Sequence, residues 1–139
     1  MYQSARLTLL GLAAGAVWGV LGYLLGAKAF GPAIWPAVLL APVVGLLVAR
    51  LTYPGFARTE GIRRALWALA SLYLAVILFS LPISVHEVIR RSPANPSFEV
   101  ALEAPLAVLW GVTLTGFVLF LWPLAYLTHW MIEWRMDDR

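Results

Sequence analysis

The chain has no cysteine. Disulfides, thiolate metal sites, iron–sulfur clusters and cysteine nucleophiles are therefore excluded. Charge is scarce. Only 12% of the 139 residues are charged and 62% are hydrophobic, whereas soluble domains are about a quarter charged and about 45–50% apolar. Basic clustering is also missing. The isoelectric point is near 9.7, but the net charge is only +3, and the basic residues sit between apolar blocks. No basic stripe interleaves with aromatics, so a nucleic-acid partner is excluded. Acidic and basic residues are absent from the interior of every long apolar block, which removes the usual mark of a proton relay or secondary transporter.

What is present is apolar sequence in long runs. Mean hydropathy is +0.83, and the excess gathers in four blocks: 7–27, 33–50, 65–85 and 105–127. About 20 apolar residues in a helix cross the roughly 30 Å hydrocarbon core of a bilayer. The second block is the shortest and extends into Leu51 to Tyr53 if a full crossing is needed. A β-barrel would alternate apolar and polar positions; these blocks are apolar all round. The expectation is one domain over residues 1–139, an all-α membrane bundle of four antiparallel helices. The first block also has features of a signal peptide, with Ala27-Lys28-Ala29 fitting a small-x-small cleavage pattern. Its apolar stretch exceeds an ordinary signal h-region of about 7–15 residues, so it is read as a retained helix.

Local chemistry sets the expected boundaries. Phe30-Gly31-Pro32 forms a tight turn, with Pro32 at a helix start where its missing N–H costs little. Tyr53-Pro54-Gly55 ends the second helix. Thr59 caps the third, and Glu60 complements its dipole. Residues 92–97, Ser-Pro-Ala-Asn-Pro-Ser, break the chain. Ser97 then caps a short segment, 98–104, within an outer loop 86–104. That segment either lies at the interface or extends the fourth helix, with a bend at Pro105.

Loop charges orient the bundle. Arg50, Arg58, Arg63 and Arg64 form a basic cluster on the face that also holds Arg6, Arg135 and Arg139. The other face has Lys28, Arg90 and Arg91. The positive-inside rule places both termini in the cytoplasm, most simply across a bacterial inner membrane. The basic cluster also suits anionic lipid head groups, although topology alone explains it.

Four features carry functional meaning. Gly11, Gly15, Gly19, Gly22 and Gly26 fall three or four residues apart, a stripe that lets a second helix approach closely. Internal packing against Ala41 and Gly45 is the simpler reading; an interface with another polypeptide is the other. Trp122, Tyr126, Trp130 and Trp134 repeat every four residues as an interfacial anchor or a contact for a partner, lipid, quinone or pigment. His86 and His129 are the candidate cofactor ligands. They end antiparallel helices, so one haem cannot take both. The hydroxyls deep in the blocks are Ser71, Ser80, Thr113 and Thr115, with Tyr73 as an addition; they are read as bonding to their own helix or a neighbour, and only a hydrophilic cavity lined by the four would point to a channel. No metal, cofactor or catalytic residue is predicted. Pro36, Pro42, Pro82 and Pro123 read as static kinks.

The functional expectation is a non-catalytic accessory or assembly subunit of a larger membrane complex. Its partners are the lipid bilayer and other membrane subunits or copies of itself. Two alternatives stand beside it: a small homo-oligomeric channel or transporter, and a lipid-, quinone- or pigment-binding membrane protein.

Overall fold

The computed structural model describes residues 2–91 and 98–138. Among the described residues every element is helical: α1 (Tyr2–Phe30), a 3-10 turn (Gly31–Ala33), α2 (Ile34–Ala57), α3 (Gly61–Arg91), α4 (Phe98–Leu114) and α5 (Val118–Asp137). Two stretches are long and apolar enough to cross a membrane, Tyr2–Ala57 and Gly61–Arg91. The first is folded back on itself at the 3-10 turn, where Gly31 takes a left-handed φ of +56° and Pro32 opens the next helix.

The hairpin register is set by small residues. A Cβ on Gly11 would stand 2.9 Å from the Leu46 Cα and 3.1 Å from Ala49. One on Gly15 would stand 2.8 Å from the Pro42 Cα and 2.9 Å from the Gly45 Cα. Gly19 meets Ala41 and Gly26 meets Ile34. Positions fall along α2 as they rise along α1, so the helices are antiparallel, with backbones in direct contact. Gly22 differs: the Phe79 ring of α3 covers it. Four of the five stripe glycines are thus occupied by α2 and the fifth by α3.

α3 packs against α2 and α4 against α3. Trp67 of α3 lies over Gly55, within 2.6 Å of where a Cβ would begin. Ser84 of α3 donates a hydrogen bond to the Ala101 carbonyl of α4. That bond has a local cause. Pro105 has no N–H for Ala101 four residues earlier, and the Ser84 hydroxyl takes its place.

Several boundaries differ from the sequence expectation. α2 runs through Pro54 to Ala57 rather than stopping at Tyr53-Pro54-Gly55, so the proline is absorbed inside the last turns. Thr59 does not cap α3. Its hydroxyl donates to the Gly55 carbonyl at 2.8 Å, closing the end of α2, and Gly61 with φ +59° starts α3. Residues 98–104 extend α4 without a break. The Ser97 cap, the 92–97 break and Arg139 lie outside the described residues.

The largest difference is in the fourth block. Residues 105–127 are not one uninterrupted helix. α4 and α5 are bent by 98° at a break over residues 115–117. Gly116 has φ +76°, a conformation open to glycine and costly for other residues. Pro105 sits inside α4, so the bend falls at the glycine rather than at the proline.

Candidate functional site

α5 starts midway along the bundle, where Leu121 and Ala125 pack on Leu72 with Trp18 and Leu21 beside them, and runs to the end formed by the start of α1, the end of α2 and the start of α3. Its inward face is Leu121, Ala125, His129 and Ile132, all buried. Trp122 donates through its indole N–H to the Ala65 carbonyl of α3 at 2.8 Å. Tyr126 meets the Phe56 ring of α2 edge-on at 5.3 Å. The Trp18 indole of α1 donates to the Thr128 hydroxyl at 3.0 Å. Arg6 donates to the Asp138 carbonyl at 2.7 Å, bringing the two ends of the described chain together. Arg64 pairs with Glu133 and stacks its guanidinium 4.2 Å above Phe56.

His129 is 4% exposed. Its Nδ1 faces the Ala125 carbonyl at 3.0 Å, and its Nε2 faces the Thr52 hydroxyl at 2.8 Å. A carbonyl only accepts, so Nδ1 carries the ring hydrogen. In the neutral ring, Nε2 then accepts from Thr52. The same hydroxyl lies 2.7 Å from the Val48 carbonyl, and it has one hydrogen to give. Both histidine nitrogens thus face protein groups at hydrogen-bond distance, and Val48 and His129 compete for the one Thr52 hydrogen. His86 stands apart on α3, beside a shallow apolar groove against α2. No group of three or more His, Asp or Glu able to hold a metal ion occurs among the described residues.

The aromatic column divides. Trp122 and Tyr126 are half-buried and anchor α5, whereas Trp130 and Trp134 are exposed. A spacing of four residues drifts about 40° per step on a 3.6-residue helix, so the last two have rotated off the inner face. Trp134 instead joins an exposed stripe with Phe120, Leu124, Leu127 and Met131, at the three- and four-residue steps of one helical face.

The basic cluster also divides. Arg50 donates to the Thr8 hydroxyl at 2.8 Å and Arg64 is held by Glu133, while Arg58 and Arg63 are exposed.

Between the helices lies a cavity of 420 Å³. It runs from Gly26, Phe30, Phe79 and Ala107 at one end to Ser71, Thr115, Thr128 and His129 at the other. It is an open cavity whose lining includes exposed residues of α1 (Leu25) and α4 (Ala107 and Thr115). The lining is almost wholly apolar, so an occupant of this open cavity would be apolar over most of its surface.

The deep hydroxyls do not form a polar path. Ser71 donates to the Ala68 carbonyl at 2.6 Å, Ser80 to Ile77 at 2.6 Å, and Thr115 to Gly111. Thr113 bonds the Tyr73 hydroxyl at 3.0 Å on the exposed side. Only Ser71 and Thr115 of the four reach the cavity.

Sequence reasoning passed over Thr52, Trp18, Thr128 and Gly116. Thr52 and Thr128 each lie in otherwise apolar helical turns near a basic or histidine residue, a signal of a buried hydrogen bond. Gly116, after Thr115, was a visible breaker inside an apolar block. Comparison of the chain with protein-family models, with curated proteins and with solved structures finds no match. The fold and site define a class by their physics alone: an all-helical chain with apolar helices of membrane-crossing length, a central apolar cavity and a bent terminal helix beneath it.

Proposed function

We propose that this chain is a multi-pass protein of a bacterial inner membrane, with both termini cytoplasmic, serving as a non-catalytic accessory or assembly subunit that docks another membrane polypeptide on α5. One observation carries the reading. α5 runs from the middle of the bundle, at Leu72 and Trp18, to its end at Arg64 and Arg6, and a helix whose far half reaches the boundary is expected to carry a polar outer face there. The outer face of α5 is instead Phe120, Leu124, Leu127, Met131 and Trp134, with no charge from Val118 until Glu133. An exposed apolar stripe marks a surface that another protein or the membrane covers; its continuation past Leu127 to Met131 and Trp134, beside Glu133 and Arg135, is what favours a protein. The hydroxyls turned onto their own helices speak against a channel.

The test is site-specific photocrosslinking in native membranes. Benzoylphenylalanine placed at Leu127 or Met131 is expected to give a discrete protein adduct. The same probe at Leu39, exposed on α2, is expected to give none. Equal behaviour at all three sites would sink the reading.

A further inference from the structure

We infer that the cavity between α1, α3, α4 and α5 is a binding site for one long-chain lipid whose polar end carries a hydroxyl, an acylglycerol or an isoprenoid alcohol. The inference rests on the membrane location proposed above, and not on the docking role of α5.

Three observations point to this class. The cavity has 420 Å³, within the range of about 300–1,000 Å³ typical of small-molecule sites. Its lining is graded. Ser71 and Phe79 stand eight residues apart on α3, and Thr115 and Ala107 eight apart on α4, so polar and apolar ends are separated by about 12 Å of helix. The cavity is open, with exposed lining residues on α1 and α4 (Leu25, Ala107 and Thr115), so a chain lying against these helices in a bilayer can reach it from the side.

Hydrogen-bond accounting selects the polar end. The Ser71 and Thr115 hydrogens are given to the Ala68 and Gly111 carbonyls. Thr128 gives its hydrogen to the Leu124 carbonyl at 2.7 Å and receives the Trp18 N–H. Both His129 nitrogens face protein groups at hydrogen-bond distance. What Ser71 and Thr115 still offer is acceptor lone pairs. A ligand end that donates, such as an alcohol, is matched; a head group with acceptors only, such as a quinone, is not.

Gly111 supplies the probe. It lines the cavity, and a Cβ there meets nothing within 4 Å. Gly111→Phe adds a ring from a position where the first added carbon is unobstructed, and Ala107→Leu adds bulk to the lining one turn away. Washed membranes are solubilised in mild detergent, and the purified full chain is weighed by native mass spectrometry. It is then delipidated and titrated with monooleoylglycerol, with a polyprenol and with an isoprenoid quinone.

The expected result is one bound lipid per wild-type chain and saturable rebinding of monooleoylglycerol or polyprenol; whichever binds more tightly names the source. Gly111→Phe or Ala107→Leu, whichever melts like wild type, is expected to bind at least about tenfold more weakly, since excluding even two methylenes from contact is worth that much. Non-saturable lipid in bulk proportions, equal binding by the filled variant, or preference for the quinone would overturn the site. A chain found in washed membranes yet free of bound lipid overturns this inference alone; a chain absent from membranes overturns the proposed location with it.

Discussion

Thr52 Oγ1 and His129 Nε2 lie 2.8 Å apart in the buried seam between α2 and α5. Thr52→Val keeps the shape and removes the hydroxyl, leaving Nε2 buried without a donor. The expected cost is about 1–3 kcal/mol, read as a lower melting temperature in detergent. Removing both polar partners relieves that penalty. The double variant Thr52→Val, His129→Leu is therefore expected to melt higher than the sum of the single losses implies. Strict additivity of the two would show that the bond does not couple the helices.

Two glycines of α1 and α4 make opposite predictions for the same substitution. At Gly15 a Cβ would stand 2.8 Å from the Pro42 Cα, and backbone cannot give way as a flexible side chain can. Gly15→Ala is expected to lose about 1–3 kcal/mol or more through overpacking. At Gly111 a Cβ meets open space, and alanine is the better helix former by about 1 kcal/mol. Gly111→Ala is expected to hold or raise the melting temperature. If both alanines behave alike in thermal-shift measurements, the hairpin packing is not as described.

Much of this architecture is legible in the sequence. The Gly11–Gly26 periodicity announces a close helix contact because only small side chains permit one, and Gly31-Pro32 announces its turn through φ preferences alone. What is not legible is the path of the fourth block. Periodicity reads Val112 to Leu121 as continuous apolar helix, and the bend at Gly116 depends on what α5 finds when it turns: Phe56, Thr52 and Ala65, residues of two other helices. The aromatic column divides between two faces for a related reason. Four-residue spacing only approximates a helical face, and the choice of which ring turns inward belongs to the tertiary contacts. The cavity was not legible at all, since a void is defined by every helix around it and by no residue on its own.

The C-terminal end of α3 carries a pH-dependent element beyond residues 65–85. Hydrogen bonding from Arg90, with the charges of Arg90 and Arg91 behind it, holds the Glu87 carboxyl below its ordinary value. Arg91 also reaches Glu103 of α4 at 2.6 Å. A carboxyl depressed in the folded state stabilises above its unfolded pKa, and that contribution is lost as pH falls through the folded one. Glu87→Gln is therefore expected to melt lower than wild type at neutral pH, with the two curves converging in acid. Both arginines are largely exposed, so the difference is small, within about 0.2–1 kcal/mol, and shrinks further in salt. A gap that widened on acidification would contradict the assignment.

Orientation can be tested without altering the background, because the chain has no cysteine to remove. Single substitutions Lys28→Cys, Arg58→Cys, Arg63→Cys and Asp138→Cys place one thiol each at exposed positions. With the termini cytoplasmic, a membrane-impermeant maleimide is expected to label Lys28→Cys in intact cells and the other three only after permeabilisation. The four are not independent. Arg6 holds the Asp138 carbonyl and Arg64 holds Glu133, so position 138 must label with positions 58 and 63, whichever way the bundle faces. A fully reversed pattern would invert the orientation and leave the fold intact. Labelling of 138 together with 28 would instead show that α5 crosses to the opposite face, and both the bend at Gly116 and the cavity floor would have to be abandoned.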